Sequence, residues 1–206
     1  MRRPRRNAIG SATMTTASTP KGERRRQALV VAAAQLLAEG GFDAIRHRAV
    51  ADRAGLPLAS TTYYFSSLDD LVSAAVEFEG RQELAAAREC LAGLGDERLP
   101  AETVIDLILD LLLGSRSRDG GVEPVLLRYE RLVGTPRRPY LAPLIRELNA
   151  ELQELVREIL ERGGAAGGPE QVRHHFALVD GAVVNALIES DPDPRGAARR
   201  MLSKQF

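Results

Sequence analysis

The sequence predicts an all-α protein of about nine helices, with an N-terminal three-helix module followed by a larger helical body. Three observations predict it. Apolar residues recur at three- and four-residue spacing along most of the chain. No segment sustains the period-two alternation of a half-buried strand. Charge is split by position: residues 1–65 hold eleven Lys/Arg against four acids, a balance of +7, while residues 66–206 hold 17 against 24, a balance of −7. The whole chain of 206 residues nets zero and so hides this split. Its length suits one domain, or a small module joined to a medium one, and a basic third on an acidic remainder suits a nucleic-acid-binding module carried by a body with another task.

The elements follow in order. Residues 1–20 read as a flexible basic arm. From Gly22 to Glu39 a helix is predicted by Leu29, Ala32, Ala33, Leu36 and Leu37, and Gly40-Gly41 stops it. A second helix covers Arg46–Ala54 with Val50, Ala51 and Ala54 inward, and Gly55 closes it. A third, short helix spans Leu58–Tyr64. Ser67 and Asp70 form a capping-box pattern that opens a long helix to about Leu91. Ala101–Leu113 is helical, Gly114–Gly121 a loop and Glu123–Val133 a shorter helix, and Thr135–Pro139 breaks the pattern. Pro143 suits the first turn of the next helix. There Leu144, Ile145, Leu148, Leu152, Leu155, Val156 and Ile159 form one stripe, opposite a charged side. Gly163–Gly168 is a loop, followed by helices over Pro169–Ile188 and Pro194–Leu202.

Composition excludes several functions. One cysteine, Cys90, rules out an intrachain disulfide framework and a multi-thiolate metal site, and fits a reducing cytosol. With no Trp and nine Phe plus Tyr, there is no material for a large stacked-aromatic surface. The first twenty residues have no apolar core and do not read as a secretory peptide. The apolar run Val104–Leu113 is interrupted by Asp106 and Asp110 and is too short to span a bilayer. His174 and His175 are adjacent, so they point to different sides of a helix and do not chelate one ion. Motifs of the HExxH, CxxC, GxSxG and GxxxxGK types are absent. Cys90 has no sequence-visible base and reads as a core or pocket thiol. No cofactor, metal, catalytic residue or membrane segment is expected, and the expected compartment is the cytoplasm.

The informative stretch is Arg46–Phe65, RHRAVADRAGLPLASTTYYF. Two short helices separated by about three residues, with Gly in the turn, form a helix-turn-helix. Ala51, four residues before Gly55, lets the second helix approach the first, and Gly55 supplies the conformation that reverses the chain. The following helix can then enter a major groove. An Ala/Gly pair recurs in many helical corners; the basic imbalance and the Tyr-Tyr-Phe ending add the weight.

Residues of about 22–75 resemble the DNA-binding domain of the TetR family of bacterial transcriptional repressors. The resemblance rests on Ala33–Ala44 (AAQLLAEGGFDA without its second residue's identity), on V-A-x-x-A-G over Val50–Gly55, and on Y-Y-F-x-S-L-D-D-L over Tyr63–Leu71. It implies a homodimer on double-stranded operator DNA, with a helical body that binds a small effector and dimerises. Residue by residue it places Leu58, Ala59, Thr62 and Tyr63 toward the bases, Tyr64 on a phosphate, and Phe65 in the module core. Ser60, Arg24, Arg46 and Arg48 complete the DNA-facing set. Thr62, Leu68 and the pair Arg46-His47 depart from the family pattern, Leu68 standing where a phosphate-binding Lys is common. Tyr64 also reads as a core aromatic, Arg46 and Arg48 also as solvated charges, and Thr61 as inward-facing.

The domains are read as an arm over 1–20, the helix-turn-helix domain over 21–67, and the ligand-binding and dimerisation domain over 68–206. In the last, Phe176–Ile188 is apolar nearly all round and must be covered on most faces. The resemblance implies that the final two helices pack on their symmetry mates, and Val179, Val183, Ala186 and Leu187 are the expected dimer contacts. Candidate effector contacts are Phe78, Cys90, Ile108, Leu112, Tyr129 and Phe176, and the aliphatic body helices favour a mainly apolar compound. The function expected is a repressor released from a palindromic operator by that compound. A constitutive DNA-binding dimer and a helical enzyme with a vestigial module remain as alternatives.

Overall fold

A computed structural model describes residues 19–165 and 167–206. Among the described residues it holds nine α-helices, three short 3-10 turns and no strand. Residues 1–18 of the expected arm lie outside the described residues, as does Ala166. Pro20, expected in the arm, instead begins α1 (Pro20–Ala44): the Thr19 hydroxyl accepts the Gly22 amide at 3.2 Å, and a proline at the helix start has no needed N–H to lose. Helical geometry stops at Gly40 and Gly41, the latter at φ 66°, and one further turn carries the chain to Ala44.

The next two helices are α2 (His47–Ala54) and α3 (Ala59–Tyr64). Gly55 joins them in the left-handed conformation, φ 64°, a geometry that a side chain would strain. α4 (Leu68–Ala92) starts where Ser67 Oγ accepts the Asp70 amide at 3.0 Å. Behind it come α5 (Ala101–Leu113), α6 (Glu123–Gly134), α7 (Ala142–Arg162), α8 (Pro169–Ile188) and α9 (Pro194–Leu202). The expected Gly114–Gly121 loop contains a 3-10 turn over Ser115–Asp119, and the expected break after α6 contains two more.

Two apolar clusters organise these helices. The first gathers Leu29, Leu37, Ile45, Val50, Phe65 and Leu71 around α1–α3 and the start of α4. The second gathers Ile105, Ile108, Val125, Ile159, Val179 and Leu202 from α5–α9. Each fully buried Leu or Ile contributes about 1.5–3 kcal/mol over leaving it in water, so both clusters hold their helices firmly. α4 runs through both, giving Leu71, Val72, Ala75 and Val76 to the first and Leu84 and Leu91 to the second. Leu141, from the connection between α6 and α7, is fully buried in the first cluster. The body therefore grips the N-terminal module from two sides.

Ion pairs lock the outer helices. Arg81 of α4 bonds Glu147 and Glu151 of α7, and Arg88 adds a 2.6 Å contact to Glu151. Arg195 of α9 reaches Asp110 at 2.9 Å and Asp106 at 3.2 Å on α5, and its other nitrogen donates to Ser117 Oγ at 2.6 Å. Gly80 sits where α4 and α7 touch. A Cβ there would come within 2.7 Å of a Leu148 methyl, so a larger residue would require that side chain to shift.

Candidate nucleic-acid interface and ligand cavity

The helix-turn-helix is built from the inside out. Val50 and Ala51 bury one face of α2, and Thr61 buries one face of α3 while its hydroxyl donates to the Leu58 carbonyl at 2.8 Å. Phe65 closes the module core beneath them, with the Arg26 guanidinium 5.2 Å from its ring centre. Arg53 fixes α2 on α1 through two bonds to Glu39, at 2.9 and 2.7 Å. That hydrogen-bonded pair holds the Glu39 carboxyl below its ordinary range and raises the guanidinium.

With that face buried, the opposite one is left in water. Leu58, Ala59, Thr62 and Tyr63 are exposed, and Tyr63 is 78% accessible. Ser60 is half-buried and so presents less of itself than expected. The rings of Tyr63 and Tyr64 meet edge to face at 4.8 Å, and Tyr64 is half-buried against the module cluster. Its ring thus does part of the work of a core aromatic, as one of the two sequence readings had it. Arg24, Arg46 and Arg48 are exposed, Arg46 being tethered by Nε to the Asp43 carbonyl at 3.3 Å. Leu68 is half-buried on the module cluster, which explains an apolar residue there.

A cavity of about 380 Å³ opens between α4, α5, α6, α7 and α8. Leu84, Leu111, Leu112, Leu148, Leu152 and Phe176 form its apolar wall. Phe42, from the C-terminal turn of α1, completes the wall, and Arg138 stacks on its ring at 3.8 Å from the centre. Two ion pairs cross from α4 to α6 at its edge. Arg131 Nη1 contacts both oxygens of Glu79 at 2.7 Å, and Arg128 Nη1 contacts those of Glu83 at 2.8 and 3.1 Å. Arg128 also donates to the carbonyls of Leu112 at 2.8 Å and Leu111 at 3.1 Å, capping the C-terminal end of α5. Burial raises the Glu79 carboxyl above its ordinary range, against the opposing pull of Arg131. Asp180 of α8 stands on the cavity side, and Tyr129 donates to its Oδ1 at 2.8 Å. Burial first, and the Asp180 charge second, push the Tyr129 phenol far above its ordinary value.

The structure sorts the expected contacts. Leu112 and Phe176 line this cavity. Ile108 and Tyr129 lie behind it in the body cluster, Tyr129 reaching it only through Asp180. Phe78 packs on the module cluster instead, because that position of α4 faces the first cluster. Cys90 corrects the reading of a core or pocket thiol: it is exposed, since the inward phase of α4 falls on Leu91. The expected dimer contacts also need correction. Val179, Val183 and Ala186 are buried within the protomer and have almost no surface left for a partner, whereas Leu187 is half-buried and keeps an exposed part. α8 turns Ala177, Gly181, Val184 and Ile188 outward, and Ile188 is 75% accessible.

Sequence reasoning missed Phe42, Glu79, Glu83 and Arg131. A usable signal existed for three of them. Two Glu four apart on α4 and two Arg three apart on α6 present matching charges at one-turn spacing. Among the described residues no group of three or more His, Cys, Asp or Glu stands where it could hold a metal ion, and no helix is long and apolar enough to cross a membrane.

Comparisons with known proteins agree with this geometry. The family model for the N-terminal region of bacterial regulatory proteins of the tetR family matches residues 29–75. A model described as a tetracyclin repressor-like C-terminal domain matches residues 99–205. The multidrug binding protein EbrR complexed with proflavin is 30% identical, with a TM-score of 0.62, over 88% of this chain and 99% of that one. A TetR-family member from Streptomyces coelicolor A3 is 30% identical, with a TM-score of 0.56, over 87% and 96%. A regulator from Haloarcula marismortui ATCC 43049, 19% identical with a TM-score of 0.66 over 88% and 96%, shares the fold. No curated protein matches the chain.

Proposed function

The chain belongs to the TetR family of bacterial regulatory proteins, and from that premise we propose that it is a cytoplasmic repressor, homodimeric on a palindromic operator and released by a small, mainly apolar effector. That it is a transcriptional regulator and not an enzyme follows from the family; the repression, the dimer and the release are the proposal. In this reading residues 21–67 bind DNA and residues 68–206 bind the effector and dimerise. The exposed side of α3, with Tyr63 at its tip, meets the bases, while Tyr64 and the arginines of α1 and α2 meet phosphates. The outward face of α8 and α9 pack on their symmetry mates, which places two α3 helices on successive major grooves.

The observation that carries the reading is the position of Phe42. It belongs to α1 of the DNA-binding module and walls the cavity of the body. An occupant that displaces Phe42 also displaces the module that bears α3, so the cavity and the DNA face share one equilibrium. A ligand that binds the displaced state better must then weaken DNA binding, by linkage. Solved complexes of the relative EbrR with imidazole, ethidium and malachite green support a small organic occupant.

Selection of bound duplexes from a random pool tests the DNA half. The expected product is an inverted repeat bound by two protomers, with a salt dependence whose log–log slope is about −4 to −8 for several neutralised phosphates. An asymmetric site, or tight binding insensitive to salt, contradicts it. Mass spectrometry of compounds co-purified with the protein, followed by their addition to the operator complex, tests the release.

A further inference from the structure

Three carboxylates reach the cavity, and they are not equivalent. Glu79 and Glu83 are each held by an arginine of α6. Asp180 has no cationic partner among the described residues; its contact is the neutral Tyr129 phenol, bound to Oδ1 alone. The phenol orients the carboxylate without cancelling its charge, and burial keeps that phenol protonated. Phe176 precedes Asp180 by one turn of α8 and lines the same cavity, so the two side chains share one flank of the helix. An aromatic face beside an uncompensated carboxylate, next to a wall of leucines, is the set of groups that recognises an organic cation with an apolar body.

We infer that the effector is an organic monocation, with Asp180 as the residue that selects its charge and Phe176 as the ring against which the cationic end rests. The inference deepens the effector reading above and rests on it. Asp180 is exposed at the cavity mouth, so its charge stays hydrated beside a neutral occupant, repels an anionic one and attracts the charged end of a cationic one. A cation restores a partner at the free Oδ2, while its apolar body displaces water from Leu112, Leu148 and Leu152. The ion pairs of Glu79 and Glu83 stay closed, so they add no second site of negative charge.

The test uses the full-length protein without DNA and two probes of one ring system, ethidium as the cation and phenanthridine as its uncharged parent. Wild type is expected to bind ethidium, and Leu148→Trp, which fills the cavity, to lose both probes. Asp180→Asn keeps an oxygen for Tyr129 and is expected to weaken ethidium by about tenfold or more, with phenanthridine unchanged. Asp180→Glu keeps the charge and is expected to retain most of the ethidium affinity. Melting temperature and sedimentation of each variant report whether fold and assembly are intact. Equal losses for both probes in Asp180→Asn, or no loss for either, overturn the charge assignment while leaving the cavity as the effector site. Ethidium binding that survives Leu148→Trp overturns it as well, because the probe then sits elsewhere. If neither probe binds wild type, the cavity reading falls and the charge assignment falls with it.

Discussion

Tyr63 and Tyr64 are neighbours in sequence and differ in what their rings touch. Tyr63 is almost free of the protein and Tyr64 leans on the module core. Tyr63→Ala is therefore expected to leave the melting temperature near that of wild type, since exposed substitutions usually stay within about 0.5 kcal/mol, while weakening operator binding and altering base preference. Tyr64→Phe keeps the ring and removes the hydroxyl, with an expected loss of about 0.5–1.5 kcal/mol of DNA affinity, equal across sequences. Thermal melts beside binding isotherms on matched and mismatched duplexes separate the two; a Tyr64→Phe variant that loses stability and keeps affinity makes Tyr64 a core residue only. At this scale the sequence was readable where one face must be buried. Thr61 goes inward because Ser60 and Thr62 flank it on a helix of six residues, and Phe65 follows as the plug. Cys90 was not readable, because the outward and inward positions of a long amphipathic helix differ by one residue near its end.

Helix α6 joins two neighbours, α4 and α5, through two arginines. Arg128 ties α6 to α4 and to the end of α5, and Arg131 ties α6 to α4 through Glu79. Arg131→Met leaves a largely covered Glu79 without its partner and is expected to cost about 1–3 kcal/mol of stability, with part of it recovered in the double variant Glu79→Gln/Arg131→Met. The pH dependence has a definite sign. Glu79 binds its proton more tightly folded than unfolded, because burial raises it from the ordinary 4.5. Its contribution to stability therefore grows as pH falls from the raised folded value toward 4.5. The stability difference between wild type and Glu79→Gln should widen in favour of wild type over that window; a difference that narrows on acidification contradicts the burial. Helix positions were legible from periodicity and capping, and the starts of α4, α5, α7, α8 and α9 fall within a residue of expectation. The cavity was not, since it is made by residues from six helices whose relative placement no local pattern encodes.

At the scale of the whole molecule, the unresolved matter in the sequence was the phase of α8. A helix apolar nearly all round does not declare which side faces its own core. Packing decides it: Val172, Val179 and Val183 fill the body cluster, and Ala177, Gly181, Val184 and Ile188 are turned outward at spacings of four, three and four, with Asp180 and Asn185 also exposed. Small residues at the centre of that line let a second helix come close, and Val184 and Ile188 supply the apolar area to cover. The two faces predict different phenotypes for the same chemical change. Val183→Glu places a carboxylate inside the protomer with no partner, so the expected result is a fall in melting temperature by several kcal/mol equivalent and little soluble protein. Ile188→Glu, alone or with Val184→Glu, places the charge in water in the protomer and in apolar surroundings in the proposed dimer. The expected result is a protomer with near-normal helicity by circular dichroism that sediments at half the mass, its association weakened by several kcal/mol. Operator affinity should then fall much further than for a lost contact, because one half-site carries only one α3 and half of the phosphate contacts. A dimer that persists in Ile188→Glu with Val184→Glu would mean that the chain associates through another surface, and the spacing of the two α3 helices would have to be set there.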